Sequence, residues 1–291
     1  MDEKDMLFAF IKNQLTEMTK TIVANYSDNQ SNRKNNPFLC FDDKPLNSIM
    51  GLGRSFDSQL GSRLQKIIFY AARLKYGDKS VPNYIYLDGR SKKAVVAYIP
   101  TEHILSDELK SNARPFNQYL LNVNPQRFDS MVLKCRVFNY HKNSNCSPRI
   151  DVFNIGNHIE LGRGLQKIPI DLLIILEENG QIKTFAFEIK AGGNLDTKNS
   201  QANYNEVRRL NKLFSFGTNK PNGFFATCYN NNGAGLPNGS IYQMLNDSQK
   251  MLGSDFWNFV LPDSISYEDF IELYKQAFLQ SNLEKEIQAL V

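Results

Sequence analysis

Apolar positions recur at helical spacing from the start of the chain. Leu7, Phe10, Ile11, Leu15, Met18 and Ile22 fall on one stripe, which predicts an amphipathic helix over residues 5–25. The polar run from Ser27 to Lys34 then predicts a loop. Phe56, Leu60, Leu64, Ile67, Ile68, Ala71 and Leu74 make a second stripe, predicting a helix that runs to Lys75 and stops near Gly77. Over 129–140 the period shortens: Val132, Leu133, Val137 and Phe138 stand among Lys134 and Arg136, the pattern of a strand with one basic face. Residues 170–176 and 182–190 are stronger strand candidates, and 224–229 is a further one. Between the last two, Val207, Leu210, Leu213 and Phe214 return to helical intervals over 199–214. Near the end, Ser266 precedes Asp269 by three residues, a capping-box start, and Phe270, Leu273, Tyr274, Ala277 and Phe278 form the buried stripe behind it. No internal repeat or low-complexity segment interrupts this order.

The two strand candidates at 170–176 and 182–190 are joined by Asn179-Gly180. This pair between apolar runs is a strong hairpin signal, because a two-residue type I′ turn needs positive φ at both central positions. Pairing then starts with residue 178 opposite 181. Seven positions further along each strand, Asp171 stands opposite Glu188. Directly opposed side chains have Cβ atoms about 4.5–5.5 Å apart, and like charges there are destabilising unless compensated. Lys190, two residues beyond Glu188, points to the same face of the sheet, and Ile189 to the other. The remaining positions, Leu172, Leu173, Ile174, Ile175, Phe185, Ala186 and Phe187, are apolar on both faces, as in a strand pair covered on both sides.

Two carboxylates and an ammonium at the margin of such a pair are costly to place there without a purpose. Hard carboxylate oxygens suit magnesium, which would polarise a scissile phosphate and lower the pKa of a bound water. Lys190 would position or deprotonate that water, or stabilise the transition state. The plain alternative is a solvent-exposed hairpin with a surface cluster of Asp, Glu and Lys, since an E-x-K triplet by itself is common.

These residues resemble a known signature. Pro169-Ile170-Asp171, followed seventeen positions after the Asp by Glu188-Ile189-Lys190, is similar to the motif of the PD-(D/E)XK nucleases. The wider run from Phe187 to Asp196 resembles more narrowly the type II restriction endonucleases, the TdeIII-like ones among them. The resemblance covers residues 165–215 and, more loosely, 55–65. It implies an α/β fold with a restriction-endonuclease-like core, a central mixed β-sheet flanked by helices. The expected function is sequence-specific, magnesium-dependent hydrolysis of phosphodiester bonds in double-stranded DNA by a type II site-specific deoxyribonuclease, usually a homodimer, with manganese as a substitute ion. Asp171, Glu188 and Lys190 are the implied catalytic residues, and Asp171, Glu188 and Ile189 the implied metal site. Many relatives carry a Glu on the helix before the core; Gln65 holds a comparable position here and Asp57 is the nearest acid, so both are accessory candidates. On the helix at 199–214, Gln201, Asn203, Arg208, Arg209 and Lys212 are candidates for DNA contact, against the alternative of a solvated polar face. The Asn/Gly-rich stretch 229–239 is open to both readings as well. A structure-specific repair or recombination nuclease of the same fold, and an inactive DNA-binding protein, are the competing functions.

Composition changes this picture little. With 291 residues, 42% in the hydrophobic set and 22% charged, the chain has an ordinary globular make-up. The expected organisation is one endonuclease domain, with an N-terminal helical part over 1–125, the catalytic sheet core over 126–235 and C-terminal helices over 236–291. A net charge of +4, spread along the chain, neither announces nor excludes nucleic acid. Cys40, Cys135, Cys146 and Cys228 form no C-x-x-C pair and are expected to be reduced thiols. His103, His141 and His158 lack metal-ligand spacing. No run of about 18 apolar residues occurs, and the charged opening Met1-Asp2-Glu3-Lys4-Asp5 has no apolar segment behind a basic leader, so a cytoplasmic protein without membrane contact is expected.

Overall fold

The computed structural model describes residues 2–34, 44–88, 93–98, 134–139, 151–154, 166–192, 195–215, 217–230, 232–233 and 239–290. Cys40, Cys146 and the three histidines lie outside them, as do 129–133 and most of the 231–238 loop.

The first apolar stripe forms helix α1 (Glu3–Lys34), with Leu7, Ile11, Leu15, Met18 and Ile22 all buried. It does not end before Ser27, as the polar run suggests, but continues through it to Lys34. That run has no Gly or Pro. Polarity removes the packing face of a helix but does not break its backbone hydrogen bonding. Helix α2 (Lys44–Tyr76) likewise begins well before its apolar stripe, and it ends where Gly77, at φ 78°, donates its N–H to the Arg73 carbonyl at 2.8 Å.

Two sheets follow. The first is antiparallel, with strand order β4-β3-β2-β1-β5, built from β1 (Tyr84–Asp88), β2 (Lys93–Tyr98), β3 (Lys134–Asn139), β4 (Asp151–Asn154) and β5 (Gln166–Lys167). The stretch 1–125 is therefore not purely helical: two runs rich in aromatic and β-branched residues give β1 and β2. The second sheet has the order β6-β7-β8-β9, from β6 (Leu172–Glu178), β7 (Gln181–Lys190), β8 (Gly223–Thr227) and β9 (Lys250–Leu252). It is mixed, with β6 antiparallel to β7, and β8 parallel to both β7 and β9. The short β9 lies in the stretch 236–291, among helices α4 (Ser240–Met244), α5 (Ser254–Val260), α6 (Tyr267–Gln280) and α7 (Leu283–Gln288), where the sequence predicts helices only. The parallel crossover from β7 to β8 runs through α3 (Thr197–Leu213), whose N-cap Asp196 accepts from the Asn199 N–H at 2.8 Å.

The hairpin has the expected register. Asn179 and Gly180 have φ of 50° and 75°, Glu178 pairs with Gln181, and the ladder runs to Leu172 opposite Phe187. The expected capping box of α6 is also present: the Asp269 N–H donates to Ser266 Oγ and the Ser266 N–H to Asp269 Oδ2.

Both faces of the mixed sheet are covered. Leu172, Ile174, Phe187, Phe224 and Ala226 join the core made with α1, α2, α5 and α6. Leu173, Ile175, Ile182 and Ala186 pack against Leu210 and Phe214 at the end of α3, and Phe225 against Val207. The fold is thus α/β, with a four-stranded mixed sheet flanked by helices. Trp257 ties α5 to the end of β8 by donating its indole N–H to the Cys228 carbonyl at 2.8 Å. Cys228 is a buried free thiol, pushed up to about 12 by burial, so it stays protonated and unreactive. Among the described residues, no helix is long and apolar enough to cross a membrane.

Candidate active site

Odd positions of β6 and even positions of β7 face α3, and at the far end of this face the apolar side chains give way to polar ones. Asp171 stands just before β6, while Glu188 and Lys190 close β7. The paired ladder stops at Leu172–Phe187, and the two acids stand just beyond it, close enough for the Asp171 charge to act on Glu188.

Asp171 is held on both sides. Its Oδ2 accepts the Ile189 N–H at 2.7 Å, and its Oδ1 accepts from Gln65 Nε2 at 2.6 Å. Three segments distant in sequence therefore converge on one carboxylate. Burial pushes its pKa up, against the lowering pull of the Ile189 N–H, the Lys190 charge and the Gln65 amide. Glu188 has 17% of its side chain exposed, and its Oε1 accepts from Lys190 Nζ at 2.6 Å. Its pKa is also raised, by burial first and then by the Asp171 charge, and Lys190 only partly offsets the two.

Backbone alternation places one more group at the site. The Ala186 N–H donates to the Asn222 carbonyl and the Lys190 carbonyl accepts from the Cys228 N–H, so even positions of β7 turn their backbone groups toward β8. Ile189, between them, turns its N–H and C=O toward the β6 side, where β6 has not yet begun and Asp171 sits. The Ile189 side chain packs into the opposite core. A metal role for Ile189 falls to its main-chain oxygen.

The other sequence candidates are divided. Gln65 reaches the site, whereas Asp57 is exposed and lies two helical turns away, about 12 Å along α2. On α3, Gln201, Arg208 and Lys212 are exposed along one side. Asn203 is not on that side: it is buried, its Nδ2 donating to the Asn199 carbonyl at 2.7 Å, so its amide is turned inward rather than toward a partner. Arg209 is engaged by Glu206, and its Nη2 also donates to the Pro169 carbonyl at 3.2 Å. Glu206 is a site residue that the apolar pattern passes over. Its charge raises the pKa of both Asp171 and Glu188. The only sequence cue is its place beside Val207 on the sheet-facing side of α3.

No family model matches the chain, and comparison with curated proteins and with solved structures gave no match.

The donor set can be tested against a divalent cation. Among the described residues, no group of three or more His, Cys, Asp or Glu side chains stands ready to hold a metal. Magnesium needs no such cage, since it keeps several waters and takes one or two carboxylates. Each Asp171 oxygen accepts one N–H and retains a second lone pair, and Glu188 Oε1 is held by a Lys ammonium rather than by backbone. Burial raises the pKa of both acids, and at Glu188 the Asp171 charge adds to it. The oxygen donors of Asp171, Glu188 and the Ile189 main chain fit a hard cation.

Proposed function

We propose that this protein is a magnesium-dependent DNA endonuclease of the PD-(D/E)XK kind, acting as a type II restriction enzyme on double-stranded DNA. One observation carries the reading: Asp171, Glu188 and Lys190 share one end of one sheet face, with Asp171 fixed from two directions and Glu188 tied to Lys190. The four-stranded mixed sheet flanked by helices that carries them supports this reading.

Asp171, Glu188 and the Ile189 carbonyl would hold the ion, which supplies charge neutralisation and Lewis-acid polarisation of a phosphate oxygen. Manganese would substitute, being served by the same oxygen donors. The chain's own groups do the rest. The Ile189 N–H and Gln65 amide keep Asp171 in one orientation before substrate arrives, so no reorganisation is needed at the moment of reaction. Lys190 keeps an ammonium beside Glu188, where it can turn to a phosphate oxygen and stabilise the charge that develops on hydrolysis. Gln201, Arg208 and Lys212 offer exposed amide and cationic groups to duplex DNA along one side of α3. A homodimer would match the two-fold symmetry of a palindromic site.

The test is incubation of the purified protein with unmethylated phage DNA, with magnesium or with EDTA, and a gel of the products. Discrete magnesium-dependent fragments are expected, and Asp171→Ala should lower cleavage by at least about a hundredfold while leaving the protein folded. Cutting confined to branches or ends would replace the restriction reading by a repair nuclease. DNA left intact across metals and salt, or undiminished cutting by Asp171→Ala, would overturn the site.

A further inference from the structure

Thr227 ends β8 directly beside Lys190, its register partner in the parallel ladder. The adjacent Cys228 N–H is bonded to the Lys190 carbonyl at 3.0 Å, so the two backbones are locked together at this point. Register partners present their side chains on the same face. Thr227 shares its face with Phe225, which packs against Val207 of α3, so its side chain lies on the face that carries Glu188 and Lys190.

Thr227 is fully buried, yet its Oγ1 has no hydrogen-bond partner. A buried hydroxyl in that state costs stability, and valine would fill the same space without the cost. Lys190 has the complementary property: three donors on its ammonium, 35% of its side chain exposed, and Glu188 Oε1 as its acceptor among the described residues. In the proposed mechanism Glu188 turns to a cation, and Lys190 then needs another acceptor to keep it at the site. Neighbouring strands are about 4.8 Å apart, within reach of the four-carbon lysine stem.

We propose that Thr227 is a positioning residue for Lys190, its buried hydroxyl accepting the ammonium when Glu188 turns away. This role rests on the nuclease reading for its purpose, but the contact itself does not. Its first test is a crystal structure of Glu188→Ala in EDTA, where the original acceptor is missing and no metal is needed. Lys190 Nζ is expected about 3 Å from Thr227 Oγ1. An ammonium lying in solvent, or a Thr227 hydroxyl bonded to an ordered water instead, overturns the proposal.

Its second test is kinetic. Thr227→Val should lower kcat for magnesium-dependent cleavage about tenfold, the effect of one hydrogen bond at the transition state, with KM unchanged. Thr227→Ser should restore the rate, and the melting temperature of Thr227→Val should not fall. A purely structural threonine would give a lower melting temperature without that split between kcat and KM, and would overturn the proposal. If the contact forms in Glu188→Ala but the wild-type protein cuts no DNA, the positioning stands and the nuclease reading falls. Robust cleavage without the contact gives the reverse.

Discussion

Glu188 is half-buried beside Asp171, so the folded chain holds a proton at this position more readily than the unfolded chain does. Its folded pKa lies above the ordinary glutamate value of 4.5, first because of burial and then because of the Asp171 charge. For an acid shifted this way, the favourable contribution is fully present below the unfolded value and is lost as pH rises through the folded one. At neutral pH, without metal, the carboxylate therefore opposes folding. Glu188→Gln keeps an oxygen to accept from Lys190 but carries no charge. In EDTA at pH 7 to 8 it should melt about 2–4 °C above the wild type, the shift that corresponds to about 1 kcal/mol, and this advantage should vanish below pH ~4. Thermal melts of both proteins across pH check it, and a less stable variant at neutral pH would show that the carboxylate is not under strain.

At the level of elements, α3 decides how the site is roofed, and its position depends on one glycine. A Cβ on Gly223, at the start of β8, would stand 2.5 Å from the Val207 carbonyl oxygen and 2.7 Å from the Asn211 nitrogen. Both are backbone atoms of α3, which cannot rotate away as a side chain would. Gly223→Ala should therefore push α3 off the sheet and destabilise the chain by roughly 3 kcal/mol, the upper end of overpacking costs, as read by denaturant unfolding. An unchanged midpoint would mean that α3 and β8 are not in close contact. The same elements show what the sequence could and could not convey. The hairpin register was legible from Glu178–Gln181 to Leu172–Phe187 because Asn179-Gly180 fixes turn geometry locally. The continuation of α1 to Lys34 was not legible, because a polar segment carries no period to read. Gln65, Glu206 and Thr227 reach the site through contacts across 106 residues, through α3 packing and through parallel register, none of which leaves a local pattern. The burial of Asn203 was not legible from its amide type, since its place on the sheet-facing side of α3 decides what it touches.

Across the whole molecule, the site is where separate parts of the fold meet: α2 supplies Gln65, the strand hairpin supplies Asp171, Glu188 and Lys190, and α3 supplies the Glu206 charge. A cation bound there would favour the folded chain over the unfolded one, because Asp171 and Glu188, seventeen residues apart, come together only when the hairpin is formed. Binding free energy then becomes folding free energy. At a magnesium concentration about a hundredfold above Kd, the stabilisation is about 2.7 kcal/mol. For a chain of 291 residues this corresponds to a rise in Tm of roughly 5 °C. Proton competition makes the rise depend on pH in a defined direction. Both carboxylates have raised pKa values, so ionisation is incomplete at low pH, and the magnesium effect should grow as pH increases through their titration. Melting curves with magnesium and with EDTA, for the wild type and Glu188→Gln, measure this without any DNA. The variant should show little of the rise at any pH, since the amide replaces one of the two carboxylates that would hold the ion. An equal rise in both proteins would place the cation elsewhere on the chain.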